Sequence, residues 1–148
     1  MKRGFAMIVL VLLACGSSNQ GQKVDGGDQA PAPEVTIYAP GDTVQVESHT
    51  IVLNEARFEG DVLHADFTIQ NQGSDELNVS SLLNFSARAE DGRKLAVTLS
   101  CGPMVDGKVL TGDRIRGEVC WKDATAPVKI YYRANLIGEG AVVWEVKE

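Results

Sequence analysis

The sequence predicts an all-β domain built as a two-sheet antiparallel sandwich, and three observations predict it. From Val35 onward the chain is a series of short β-type runs separated by Gly, Asn, Asp and Pro. Residues 62–70 alternate cleanly. Leu63, Ala65, Phe67 and Ile69 face one way and His64, Asp66, Thr68 and Gln70 the other, which gives one buried and one wet face. No segment carries a sustained helical period, so the expected helix content is near zero.

The elements follow in order. Residues 35–38 and 44–46 are brief runs flanking Pro40-Gly41-Asp42. Residues 50–58 form the next strand, with a bulge expected near Asn54, where the alternation slips. After residues 62–70, Asn71-Gln72-Gly73-Ser74 breaks the pairing; Leu77 and Val79 follow, then a short helical turn over residues 80–83. Phe85, Ala87 and Ala89 point inward, Asp91-Gly92 supplies the positive φ angles of a tight hairpin, and Leu95, Val97 and Leu99 continue inward on the return strand. Residues 102–112 read as a connection. Ile115, Gly117, Val119 and Trp121 then form one face of a strand, and Arg114, Arg116, Glu118 and Cys120 the other, which puts Cys120 on the solvent side. Pro127 precedes a strand at 128–132, and residues 141–146 close the domain. The stretch 35–148 is long enough for a two-sheet core.

The N-terminus has a different character. Lys2 and Arg3 precede an almost wholly apolar run over residues 5–14. That is the length of a signal h-region and too short for the roughly 20 residues of a bilayer span. No second long apolar run follows, so no transmembrane helix is expected. The run ends Leu12-Leu13-Ala14-Cys15-Gly16, which resembles the lipobox of bacterial lipoproteins. The resemblance implies that residues 1–14 are a signal peptide, that the bond before Cys15 is cut, and that Cys15 carries lipid. Several acyl chains would hold the protein on the extracytoplasmic side of a membrane. Gly16 after Cys15, in place of Asp, implies the outer membrane in a double-membraned host. Residues 15–34 are rich in Gly, Ser, Asn, Gln, Asp and Pro, with too little apolar content to offset the entropy of ordering. They read as a flexible spacer ending in the stiff Ala30-Pro31-Ala32-Pro33.

The net charge is −6, and removing Lys2 and Arg3 leaves −8, which argues against nucleic acid as a partner. Of three cysteines, Cys15 goes to lipid. Cys101 and Cys120 are then the one available intramolecular disulfide, in a compartment where disulfides persist. The alternative, two free thiols or half a metal site, lacks a Cys-x-x-Cys spacing and a His nearby in sequence. A bond at Cys120 would pin the 102–112 connection against the outside of its sheet, and Cys101 would have to turn out of its inward register.

The chemical constellations come up short. A nucleophile triad needs a His, and there are two, His49 and His64. His64 has Asp66 on its own face, but no Ser sits in an elbow setting. Two His, two disulfide cysteines and Met104 do not supply three or four metal ligands at fixed spacing, so no metal and no cofactor are expected. The Gly102-to-Lys108 likeness to a phosphate loop fails, because Val109 stands where Ser or Thr is needed. Asp75-Glu76 and Glu90-Asp91 are carboxylate pairs in turns. No catalytic residues emerge. Among the aromatics Trp121, Tyr131, Tyr132 and Trp144, the adjacent Tyr131 and Tyr132 must point to opposite faces. They are the candidate interaction surface, since an outward Tyr is a fair anchor for protein or glycan.

A resemblance joins these pieces. Gly41-Asp42 opens the order, followed by a strand ending Gln70-Asn71-Gln72-Gly73 and a strand closing on Asp91-Gly92. The run Gly112-Asp113-Arg114-Ile115-Arg116-Gly117-Glu118-Val119-Cys120-Trp121 comes next. Residues 41–132 are thereby similar to the uncharacterised immunoglobulin-like domains common in bacterial lipoproteins, often mislabelled telomeric-repeat-factor-like. These resemble in fold a secreted immunoprotective antigen of mycobacteria. The resemblance implies an immunoglobulin-like sandwich outside the cytoplasm and brings no catalytic residues with it. The expected function is a non-catalytic module that binds a protein of the envelope or surface. The alternatives are a small envelope hydrolase or glycan-acting enzyme using surface carboxylates, or a carrier of an apolar or metal ligand. The carrier would need a void lined by positions such as Phe67 and Val97.

Overall fold

The computed structural model describes residues 35–137 and 140–148. The expected signal peptide, Cys15 and the linker lie outside the described residues. Within them the chain is all strand: β1 (Ile37–Tyr38), β2 (Thr43–Val46), β3 (His49–Glu59), β4 (Val62–Asn71), β5 (Leu77–Val79), β6 (Phe85–Ala89), β7 (Val97–Thr98), β8 (Gly107–Val109), β9 (Arg114–Trp121), β10 (Val128–Tyr132) and β11 (Val142–Val146). One sheet runs β1-β11-β10-β6, the other β2-β3-β4-β9-β7, and β5 pairs with β8 in a small ribbon. Among the described residues the strand pairings are antiparallel except the edge pair β1–β11. The result is the expected immunoglobulin-like sandwich.

The alternation in β4 is realised in full: Leu63, Ala65, Phe67 and Ile69 are each 0% exposed. The bulge falls where the sequence slips. Pairing passes from Leu53↔Phe67 to Glu55↔Asp66, leaving Asn54 over, and its amide turns to donate to Asp66 and to Thr68 Oγ1. The two sheets meet through rings. Phe67 on β4 lies 4.7 Å from Phe85 on β6 and 5.5 Å from Trp144 on β11, centroid to centroid. Phe67 and Val97, the positions expected to line a ligand void, are both packed into this core.

Three expectations need correction. In the Asp91-Gly92 turn only Gly92 has a positive φ (82°). Gly92 N–H donates to the Ala89 carbonyl and Ala89 N–H to the Arg93 carbonyl, at 2.9 and 3.0 Å, so the loop has three residues, as in a type I turn closed by a bulge. Second, the return strand does not stay beside β6. After Leu95 N–H bonds the Ala87 carbonyl, the chain crosses, and β7 joins β9 in the other sheet. The crossing resets the alternation, so Thr98 is buried and Leu99 is 70% exposed, not inward. Third, the 102–112 connection contains β8. Its first half also fills the core: Val105 is fully buried beneath β9. That approach requires Gly117, where a Cβ would stand 2.6 Å from the Met104 carbonyl carbon and the Val105 nitrogen.

Candidate functional site

β10 decides the fate of the tyrosine pair. Val128, Ile130 and Tyr132 face inward, and Lys129 and Tyr131 outward. Tyr132 is 1% exposed and shares a 2.8 Å hydrogen bond with His49 Nε2, so it is not part of the surface. Burial pushes its hydroxyl well above the ordinary tyrosine range. Tyr131 is half-buried on the outer face, where it lines a shallow pocket with Arg88, Glu90, Lys129 and Glu145.

His49 is buried with Tyr132, and its Nδ1 has no hydrogen-bond partner among the described residues. Burial lowers its pKa below the ordinary histidine value of 6.5, against a smaller upward pull from Glu47. Above pH 6.5 His49 is neutral in both states and its contribution to stability is complete. Below that pH the unfolded chain binds the proton first, so stability falls until the lowered folded pKa is reached. The expected slope is at most about 1.4 kcal/mol per pH unit. Urea midpoints measured from neutral to mildly acidic pH should fall more steeply for the natural chain than for His49→Gln. Parallel curves would show that His49 is not the group involved.

The second cluster lies on the outer face of β4 and β9. Their register sets His64 opposite Cys120 and Asp66 opposite Glu118. Cys101 and Cys120 form the expected disulfide, with Cα atoms 6.2 Å apart. Cys120 sits on the outward face yet is 0% exposed, a correction to its expected solvent position. Thr98 pairs beside it, and residues 103–105 run along the β9 edge, where Pro103 accepts from Glu118 N–H at 2.8 Å. His64 Nδ1 lies 3.2 Å from Cys120 Sγ and 3.4 Å from Glu118 Oε2, and its Nε2 lies 3.5 Å from Glu59 Oε2. Arg57 donates through both terminal nitrogens to Glu118 Oε1 at 3.2 Å, and Gly102 N–H donates to Oε2 at 3.3 Å. Burial raises the Glu118 carboxyl, but hydrogen bonds from His64, Arg57 and Gly102 outweigh it and hold the group below its ordinary range. Asp66 does not engage His64; it accepts from Arg116 and Asn54 instead.

The third feature is an apolar end. Leu82, Leu83 and Leu136 are 58%, 62% and 59% exposed, and Ile137 is fully so. Leu83, Leu136 and Ile137 line a groove of about 680 Å³ with Val79 and Ala134. Asn84 holds its walls together: its side chain accepts from Ser80 N–H at 2.7 Å and donates to the Arg133 carbonyl at 2.9 Å. Ser81 adds a hydroxyl bond of 2.7 Å to Asp106. The 80–84 turn is therefore tied to Arg133 while Leu82 and Leu83 stay in solvent.

Solved structures share this sandwich. The yjhA protein of Bacillus subtilis matches with a TM-score of 0.65 at 13% identity, over 75% of this chain and 100% of that one. The secreted protein MPT63 of Mycobacterium tuberculosis matches with a TM-score of 0.57 at 15% identity, over 78% and 100%. The lipoprotein candidate ycdA of Bacillus subtilis matches with a TM-score of 0.58 at 14% identity, over 71% of this chain and 38% of its own. No protein-family model and no curated protein matches the chain. At these identities the neighbours share the fold with this chain. They are a secreted protein, a lipoprotein candidate and a further β-sandwich, which agrees with the expected family likeness to a secreted mycobacterial protein.

Neither the apolar end nor the second cluster is among the sites expected from the sequence. Leu82-Leu83 and Leu136-Ile137 are apolar doublets outside any alternating run, a signal that was available. His64 and Cys120 are separated by 56 residues and meet only through the β4–β9 register, which local pattern does not encode.

Proposed function

We propose that this chain is a lipid-anchored, extracytoplasmic interaction module that engages a protein of the cell envelope through its apolar end. The anchor is Cys15, on the lipobox-like run, with the outer membrane favoured by Gly16 in a double-membraned host. Secreted and lipoprotein-candidate neighbours support the location. The observation that carries the binding role is the exposure of Leu82, Leu83, Leu136 and Ile137, large apolar side chains, the first two on a turn that Asn84 ties to Arg133. Exposed apolar surface of this kind marks association sites. The reading involves no catalysis. His49 is buried on Tyr132, and the carboxylates of Asp66 and Glu118 are occupied by Arg116 and Arg57.

Site-specific photocrosslinking in cells tests it. A photoreactive residue at Leu83 or Ile137 should capture one envelope protein. The same residue at Asp91, beyond the far end of β6, should not, and neither should the Leu83 probe in a Cys15→Ser chain. Equal capture from both ends, or capture of lipid alone, would sink the reading.

A further inference from the structure

We propose that the Cys101–Cys120 disulfide is the closed form of a redox-gated zinc site, which His64 and Glu118 complete once the two sulfurs are reduced. This goes beyond the interaction role and does not depend on it.

Geometry is the first argument. Zinc takes four ligands at about 2.3 Å for sulfur and about 2.0–2.2 Å for nitrogen and oxygen, so neighbouring ligand atoms of a tetrahedron lie about 3.3–3.8 Å apart. Three ligand atoms are already near that spacing. Cys120 Sγ to His64 Nδ1 is 3.2 Å, His64 Nδ1 to Glu118 Oε2 is 3.4 Å, and Cys120 Sγ to Glu118 Oε2 is 4.0 Å. The fourth, Cys101 Sγ, is bonded to Cys120 Sγ on the Thr98 side, 3.8 Å from the Thr98 carbonyl, and lies outside the group that Cys120, His64 and Glu118 form. On reduction the sulfurs part from bonding distance to a tetrahedral edge, and Cys101 Sγ swings from Thr98 toward His64 and Glu118. Side-chain rotation supplies that at a Cα separation of 6.2 Å.

The outer shell is the second argument. Metal-binding histidines present their other ring nitrogen to a carboxylate, and ligating carboxylates are themselves held by hydrogen bonds. His64 turns Nε2 toward Glu59 Oε2 at 3.5 Å while Nδ1 faces the cluster. Arg57 occupies Glu118 Oε1, leaving Oε2 aimed at His64 and Cys120. Arg57 also bonds Glu59 at 2.9 Å, tying the two supporting groups together. Zinc with two thiolates and one carboxylate would carry one surplus negative charge, and Arg57 lies beside it. A disulfide that merely crosslinked the domain would need none of these orientations.

The chemistry balances with a dithiol reductant. Its thiolate attacks Sγ of Cys101, the less buried of the two cysteines, and Cys120 leaves as thiolate. The second reductant thiol then displaces Cys101, so the Cys101–Cys120 bond breaks as the reductant closes its own disulfide. Two electrons and two protons pass to the protein. Zinc displaces the two thiol protons to solvent and undergoes no redox change.

The test uses cobalt(II) as a spectroscopic substitute on the detergent-solubilised full chain carrying Cys15→Ser, so that the domain thiols alone react. After reduction by a phosphine, one equivalent of cobalt should give a thiolate-to-metal charge-transfer band with intense tetrahedral visible bands. One equivalent of zinc should abolish both, and the oxidised chain should give neither. His64→Gln and Glu118→Gln should lose the tetrahedral spectrum. Glu59→Gln, at an exposed position, should fold normally and weaken zinc binding by about 10–100-fold. Asp66→Asn, on the same face but outside the cluster, should match the parent. No charge-transfer band in the reduced chain, full-strength binding in Glu59→Gln, or equal binding by the oxidised chain would each overturn the proposal.

Discussion

Trp144→Ala should destabilise the domain by about 3–5 kcal/mol, the range for truncating a large buried aromatic. Trp144 is 0% exposed, pairs across β10 with Ile130 and across β1 with Tyr38, and meets Phe67 of the opposite sheet nearly edge-on, at 62°. Truncation leaves a void bounded by both sheets, which neither can fill without sliding on the other. Its indole N–H has no hydrogen-bond partner among the described residues, so the ring is held there by packing rather than by hydrogen bonding. Trp144→Phe keeps most of that packing and removes an orphaned donor, so its loss should be well under half that of alanine. Urea unfolding checks both: the midpoint should fall with little change in slope. A Trp144→Ala loss below about 1 kcal/mol would mean that the two sheets do not interlock at this ring.

How far this architecture was legible varies from strand to strand, for physical reasons. β4 is readable because one face is wholly core and the other wet, so period two survives in the sequence. The Asn54 bulge was readable because an extra residue shifts that period. The path after Leu95 was not. The local pattern of Leu95, Val97 and Leu99 says nothing about a chain that changes sheets between them, and the change turns Leu99 to solvent. Tyr132 was recoverable. Val128 and Ile130 share its parity, and Lys129 shares that of Tyr131, so the inward tyrosine can be chosen from β10 alone. Cys120 was not recoverable. Its parity with Arg116 and Glu118 correctly gives the outer face, but its burial comes from β7 and the 103–105 segment laid beside it. The candidate site divides in the same way. The apolar doublets lie open in the sequence, whereas the meeting of His64 with Glu118 and Cys120 depends on strand register.

Opening the Cys101–Cys120 bond should destabilise the domain by about 3 kcal/mol, with a range of about 2–5 for small secreted domains. The bond closes a loop across a sequence separation of 19, and loop-closure entropy in the unfolded chain sets the estimate. The folded state should change little, because the backbone around the bond has other holds. Glu118 N–H donates to Pro103, Val105 N–H reaches the Glu118 carbonyl, and Val105 itself is buried. The loss should therefore act largely through the unfolded ensemble, which the crosslink keeps compact. That separates it from the Trp144 case by a second observable. Truncating the ring lowers the urea midpoint at constant slope, whereas opening the disulfide should lower the midpoint and raise the slope as the unfolded chain expands. Reduction of the natural chain and the pair Cys101→Ser with Cys120→Ala should agree to within about 1 kcal/mol if both report the same constraint. A lower midpoint at unchanged slope would place the stabilisation in native contacts around Cys120 instead. An unchanged midpoint would mean that the bond contributes nothing to the stability of the fold.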